Sequence, residues 1–314
     1  MSQVNYQTVL SDESGQRLDN YLFRKLKGVP KSRIYRIIRS GEVRVNKKRA
    51  QPSYRIQPED IIRIPPLRIA ENKTQNFTLT KQFEKLEDAI LFENKSFMVV
   101  NKPAGLAVHG GSGIQFGLIE CIRKLRSQMP YIELVHRLDR DTSGCILLAK
   151  KRSVLRRLQA EMRERRVEKI YLALLNERWK GQRKVEVKEP LKKNVLSSGE
   201  RMVFIDPEGK PSHTTFSLKQ NFAFGCLVEA ELHTGRTHQI RVHSQYIGHS
   251  IIGDEKYKSK LSKDDNCFKP KRLYLHANSI SFTLDDERYK FEAPLDDLFQ
   301  QFINHLEGED KIDE

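Results

Sequence analysis

The chain has 314 residues, with 56 Lys and Arg against 41 Asp and Glu, for a formal net charge of +15. That length allows two domains and a sizeable core, and the positive excess points to a polyanionic partner, nucleic acid first. No long apolar segment, no basic amphipathic helix with bulky apolar anchors and no charged-then-apolar leader is present, so a membrane or secretory protein is not expected. Four scattered cysteines, Cys121, Cys145, Cys226 and Cys267, form no C-x-x-C pair. They suggest neither a zinc knuckle nor a disulfide framework but a reduced, cytoplasmic protein.

Arg17 to Leu26 has a helical pattern, with Leu18, Tyr21, Leu22 and Leu26 on one face. Pro30 breaks it. Ser32 is placed to cap a second helix whose apolar stripe is Ile34, Ile37 and Ile38, and Gly41 ends that helix. Val43 to Asn46 alternates as a strand, Asn46-Lys47 reads as a turn, and Pro58-Glu59-Asp60 is a second turn before Ile61 to Ile64. Two helices and a few short strands make a minidomain, bounded at 13–70. Its charge is lopsided: from Gly15 to Ile69 there are fifteen Lys or Arg against four Asp or Glu. Lys31, Arg33, Arg36, Arg39, Arg44, Lys47, Lys48 and Arg49 crowd its middle. Such groups bind phosphates and give affinity without sequence information; the plainer alternative is a solvated basic face.

Pro65-Pro66 closes this unit and 71–86 reads as a polar linker to a second domain, 87–306. That domain opens with Ile90 to Asn94 and a strand over Phe97 to Asn101, and Lys102-Pro103-Ala104-Gly105 is a sharp turn. Ser112 to Glu133 looks like a helix with loops. A buried strand follows at Cys145 to Lys150, then a helix capped by Ser153, with Leu155, Leu158 and Met162 inward and Arg156, Arg157, Arg163, Arg165 and Arg166 outward. Lys169 to Leu175 is another buried strand. Lys180 to Gly199 is basic and fits a hairpin or a loop. Strands near Thr214–Lys219 and Cys226–His233, and a late one over Leu273 to Phe282, complete the set. Pro294 opens a last helix with Leu295, Leu298, Phe299, Phe302, Ile303 and Leu306 on one stripe, and an acidic tail, 307–314, is expected to fray. Many strands with few helices suggest a mixed α+β sheet domain.

Two stretches carry chemistry. In His136-Arg137-Leu138-Asp139-Arg140-Asp141-Thr142-Ser143-Gly144, two carboxylates, two arginines, a histidine and two hydroxyls lie directly before a buried strand. A carboxylate beside guanidinium groups stays ionised, ready as nucleophile or base at neutral pH; a solvated turn with a local salt bridge is the bland alternative. The second is Gly235-Arg236-Thr237-His238-Gln239-Ile240-Arg241-Val242-His243, where Gly235 turns the strand and Thr237 can cap a helix to about Ile247, with Ile240, Ser244 and Ile247 inward. His238 and His243 are five residues apart, off the i, i+4 spacing of helical metal ligands, so no metal is expected.

The minidomain, with its Val-Pro-Lys-Ser and Gly-Glu-Val-Arg-Val-Asn runs, resembles the S4 RNA-binding domain. The two chemical stretches together resemble the catalytic motifs of the RluA family of pseudouridine synthases, and Lys169-Ile170-Tyr171 and Leu275-His276-Ala277 fall where that family carries a tyrosine and a core leucine. Gly15 to Arg63 is similar in particular to the branch acting on large-subunit ribosomal RNA. The resemblance implies an α+β fold, a mainly antiparallel mixed sheet behind a small S4-like α/β domain, and isomerisation of uridine without a cofactor. It implies that Asp139 is the catalytic carboxylate, that Arg241 pairs with it, and that Tyr171 stacks on the displaced base. Leu275 would pack beneath that base and Arg137 would fill the space a flipped uridine vacates. His136, Thr142, Ser143 and Gly144 would support the loop. The residues alone leave Asp141 as a rival; the family pattern picks Asp139. Ribosomal RNA is the expected partner of a chain acting as a monomer. A non-catalytic RNA-binding or ribosome-assembly factor, and a metal-dependent nuclease built on Asp139, Asp141 and the histidines, are the rival readings.

Overall fold

The computed structural model of the chain describes residues 4–26, 29–67, 86–110, 116–195, 201–258 and 270–310. The chain divides into two compact units, residues 1–80 and 81–314. In the first, β1 (Asn5–Thr8) precedes two helices, α1 (Leu18–Lys25) and α2 (Lys31–Arg39). Three short strands follow: β2 (Arg44–Val45), β3 (Lys48–Arg49) and β4 (Ile61–Ile64). The apolar stripes of both helices are buried and meet Val43, Val45, Ile62 and Ile64 in one core; each such side chain contributes roughly 1.5–3 kcal/mol. Asn46 and Lys47 have φ of 49° and 66°, as a two-residue hairpin turn requires, and Val45 pairs with Lys48 across them. Two local features differ from expectation. β1, unforeseen, pairs antiparallel with β4, Asn5 opposite Ile64. And α2 starts one residue before Ser32, with Pro30 as its N-cap and no side-chain cap; the ring constraint of Pro30 itself prepares the helix start, so the hydroxyl is not used.

The second unit is built on a ten-stranded mixed sheet. In chain order it contains β5 (Ile90–Glu93), β6 (Phe97–Lys102), α3 (Leu118–Leu125), β7 (Glu133–Leu134), β8 (Ser143–Ala149), α4 (Arg152–Arg163), β9 (Glu168–Asn176) and β10 (Lys184–Val187). There follow β11 (Leu191–Val195), β12 (Arg201–Ile205), β13 (Thr214–Phe222), β14 (Gly225–Leu232), α5 (Gln239–Tyr246), β15 (Leu275–Leu284), β16 (Glu287–Glu292) and α6 (Asp297–Asp310). The strand order is β10-β13-β14-β9-β15-β8-β6-β5, with β16 on β15 and β7 on β8, while β11 and β12 form a separate hairpin. Every pairing is antiparallel except β15 with β8. β8 is buried along its whole length, as its unbroken apolar run requires. Phe97, Leu147, Phe282 and Leu158 of α4 share one core cluster, and Phe299, Phe302, Ile303 and Leu306 of α6 pack with Leu174, Phe222 and Tyr274 in another.

Several boundaries differ from the sequence reading. Neither Ser153 nor Thr237 caps a helix: α4 follows Lys151 and α5 follows His238, neither with a side-chain cap bond. Leu298 is exposed, off the buried stripe of α6, and that helix runs on through Glu307 to Asp310, residues expected to fray. Residues 311–314, the expected linker apart from Leu86, and 111–115 lie outside the described residues. No helix among the described residues is long and apolar enough to cross a membrane.

Candidate active site

The loop between β7 and β8 is held from three sides. Ser143 is buried, its Oγ 2.8 Å from His276 Nδ1 and accepting from Arg272 Nη2 at 2.7 Å. Gly144 has φ of 108°, and a Cβ there would meet the Ala277 carbonyl oxygen at 2.2 Å, so only glycine lets β8 approach β15 this closely. His136 accepts the Leu147 amide at Nε2 (3.1 Å), and burial pushes its pKa down to about 4. It is a neutral structural acceptor. Thr142 is buried and donates its amide to the Asp139 carbonyl at 3.3 Å.

This scaffold delivers Asp139 to a cavity of about 100 Å³ lined by Arg137, Asp139, Thr142, Tyr171, His238, Arg241 and Leu275, among others. Register explains the convergence. Leu275 sits opposite Ala173, two residues from Tyr171, and Tyr171 sits opposite Ala230, two residues from Leu232. Side chains alternate across a strand, so Tyr171, Leu232 and Leu275 emerge on one face. Burial and then the Asp139 charge push the Tyr171 phenol well above its usual range, so it is neutral. Arg137 is exposed. Asp141 is outside the lining set: its exposed carboxylate pairs with Arg140 at 3.0 Å, which separates the two candidate carboxylates.

The expected Arg241–Asp139 pair is present but long, and Arg241 has a second, closer carboxylate partner. Arg241 Nη1 is 3.9 Å from Asp139 Oδ2, but its bidentate partner is Asp254, at 2.7 Å through both Nε and Nη2. Burial works against the Arg241 charge, yet the Asp254 hydrogen bonds and the Asp254 and Asp139 charges outweigh it and raise its pKa. Asp254 itself is fully buried and takes the amides of Lys256 and Tyr257. His238, for which the sequence spacing gave no metal role, comes nearer to Asp139 than Arg241 does, at 3.7 Å from Nε2. Lys102, read as part of a turn, is the last residue of β6 and has no exposure. Its Nζ donates to the carbonyls of Pro103, Leu106 and Arg140 at 2.8–2.9 Å. Burial pushes its pKa down to about 7, while three carbonyl acceptors favour the ammonium, which alone has three donors. The third carbonyl ties it to the residue after Asp139.

In the first unit the eight basic residues expected to meet RNA are exposed, apart from the half-buried Arg33. Among the described residues none of them is ion-paired; Lys31 lies over the Phe23 ring at 5.4 Å and Arg39 over Tyr35 at 5.7 Å. Their charges thus face no acidic partner among the described residues, although Arg44 is bonded to the carbonyls of Gly41 and Lys47.

A family model described as RNA pseudouridylate synthase matches residues 96–246, and the S4 domain model matches 16–62. The chain is 51% identical over 307 residues to Ribosomal large subunit pseudouridine synthase C of Pasteurella multocida, covering 96% of this chain and 94% of that one. It is 47% identical to the protein of the same name from Escherichia coli K12, covering 96% and 97%. Among solved structures, Human RNA Pseudouridylate Synthase Domain Containing 1 aligns with a TM-score of 0.56 at 25% identity over 70% of this chain and 94% of that one. Human RNA Pseudouridylate Synthase Domain Containing 4 aligns at 0.59 and 24% over 74% and 98%, a likeness of fold.

Proposed function

Because the chain belongs to the RNA pseudouridylate synthase family, we propose that it isomerises uridines of large-subunit ribosomal RNA, with Asp139 as the catalytic carboxylate. The relatives named for that substrate match almost end to end, and the basic first unit suits an RNA partner. The observation that carries the residue assignment is the convergence of Asp139, Tyr171, Arg241 and Leu275 on one cavity.

The reaction detaches uracil from C1′ at N1 and reattaches it through C5. N1 gains a proton and C5 loses one, so atoms and electrons balance within the nucleotide. Asp139 acts on the ribose side of that bond, as nucleophile at C1′ or as base on the sugar. Tyr171 stacks on the base while it turns, with Leu275 packed beneath, and the phenol, held neutral, is available to relay a proton. Arg241 places a fixed positive charge beside the carboxylate, itself anchored by Asp254. The uridine must leave its stack to enter so small a site, at a cost of a few kcal/mol. Arg137, exposed where the cavity opens, is the group that fills the gap left behind. The first unit supplies phosphate contacts, and Lys31, Arg36, Arg39, Arg44, Lys47, Lys48 and Arg49 carry them.

Asp139→Asn keeps the shape of the side chain and removes its charge. It is expected to bind RNA within about twofold of the parent and to lose isomerisation by at least about a thousandfold, consistent with removal of the reacting group. Pseudouridine mapped at normal yield in RNA treated with this variant would reject Asp139 as the catalyst.

A further inference from the structure

We propose that Tyr257 fixes the tautomer of His238, so that a neutral imidazole presents Nε2–H to Asp139 Oδ2 and holds that carboxylate in its reacting rotamer. The inference rests on Asp139 being the reacting group, and it makes His238 a positioning residue of the site.

The argument is an account of hydrogens. Tyr257 is 2% exposed, packed with Leu191, Val203 and Val242. Its Oη accepts the Val203 amide at 3.0 Å and lies 2.7 Å from His238 Nδ1. A buried phenol hydrogen needs an acceptor, and among the described residues Nδ1 is the one within reach. Tyr257 therefore donates to Nδ1. A neutral imidazole with Nδ1 as acceptor carries its proton on Nε2, and Nε2 faces Asp139 Oδ2 at 3.7 Å. The other tautomer fails twice: the phenol hydrogen would lose its partner, and an Nε2 lone pair would oppose a carboxylate oxygen. Burial also lowers the imidazole pKa, against the pull of the Asp139 charge.

Backbone and packing aim the ring. His238 has φ of 54° and ψ of 20°, in the left-handed region, which is uncommon outside glycine but which His enters more readily than most side chains. That turn sets the imidazole edge-on to Tyr257, with ring centroids 5.5 Å apart. Tyr257 is fixed in turn beneath the Arg241 guanidinium, 5.0 Å from its ring centre. The separation of 3.7 Å is longer than a hydrogen bond, as is common in sites without substrate, and a small movement of the carboxylate on RNA binding closes it.

Nitrogen NMR of the wild-type protein with labelled histidine tests the tautomer directly. A pyridine-like Nδ1 and a pyrrole-like Nε2 at His238 are expected; a pyrrole-like Nδ1 overturns the proposal. Kinetics test the role. The Gln amide nitrogen reaches the place of Nε2, whereas that of Asn reaches only the place of Nδ1. His238→Gln should keep kcat within about fivefold, and His238→Asn should lower it about ten- to a hundredfold, both with KM for RNA little changed. Asn tolerates left-handed backbone better than Gln, so a purely structural role would favour Asn, the reverse order. Equal losses in the two variants, or better activity in Asn, sink the proposal. Asp139→Asn run alongside separates the two readings: if it stays active the catalytic assignment fails, and if it is inactive while Gln and Asn do not differ, only the role of His238 fails.

Discussion

At the level of single residues, the site depends on buried charge held by partners that are distant in sequence. Asp254 is fully buried against Arg241, and removing one member of such a pair leaves the other charge without compensation. Asp254→Ala is expected to destabilise the protein by about 3–5 kcal/mol, read as a fall in the urea midpoint, and to lower kcat as Arg241 swings away from Asp139; an unchanged midpoint would show that the pair is not what holds Arg241. Lys102→Met would strip the carbonyls of Pro103, Leu106 and Arg140 of their donor. A cost of about 1–3 kcal/mol for each unsatisfied group should appear as a lower melting temperature together with a loss of isomerisation, and wild-type melting would remove Lys102 from the loop's support. The stretches around Asp139 and Arg241 stood out as dense local patterns of charge and glycine, and the family resemblance, not the pattern, singled out the two residues within them. Asp254 and Lys102 were not legible. Asp254 stands beside Glu255 and Lys256 and reads as surface, and Lys102 reads as the first residue of a sharp turn. Only the folded chain brings their partners within reach.

For the elements, stripes were easier to read than ends. Leu18, Tyr21, Leu22, Ile34, Ile37 and Ile38 are buried as their periodicity implied, because helical spacing is a property of the sequence itself. The caps at Ser32, Ser153 and Thr237 were misplaced. A hydroxyl near a helix start says that a cap is possible, while the start itself is fixed here by Pro30, by the exit from β8 and by the left-handed turn at His238. β1 and β12 escaped notice because short strands carry little pattern of their own and form against a partner supplied by the fold. On α2 and the hairpin after it, Arg36, Arg39 and Lys48 project without acidic partners among the described residues. Changing all three to Gln should weaken RNA binding and flatten its salt dependence, by about 0.7 in the log–log slope for each phosphate contact to single-stranded RNA that is lost. An unaltered slope would mean that these side chains do not touch phosphate.

For the whole molecule, several histidines are buried as neutral groups. Burial pushes His136 down to about 4 and also lowers His243 and His276. Between the ordinary histidine value near 6.5 and these lower values, the unfolded chain binds protons that the folded chain does not. Their stabilising contribution is therefore complete above about pH 6.5 and is lost as the pH falls through each folded-state value, for His136 towards 4, by at most about 1.4 kcal/mol per pH unit for each group. Urea midpoints should drop between pH 7 and pH 5; a flat profile would contradict the burial of these rings in neutral form. The α+β class was readable from the number of strand candidates, but the strand order was not, since partners such as Ser143 and His276 are far apart in the chain.

That last pairing has a consequence during synthesis. The loop bearing Asp139 leads into β8, yet the Ala277 carbonyl against Gly144 and the Leu275 wall of the cavity belong to a strand translated much later. The core of the S4-like unit is complete by Leu67, so the proposed RNA-gripping unit needs nothing from β15, whereas the pocket that turns the base does. Non-local strand closure is thus required for the pocket and not for the core of the first unit.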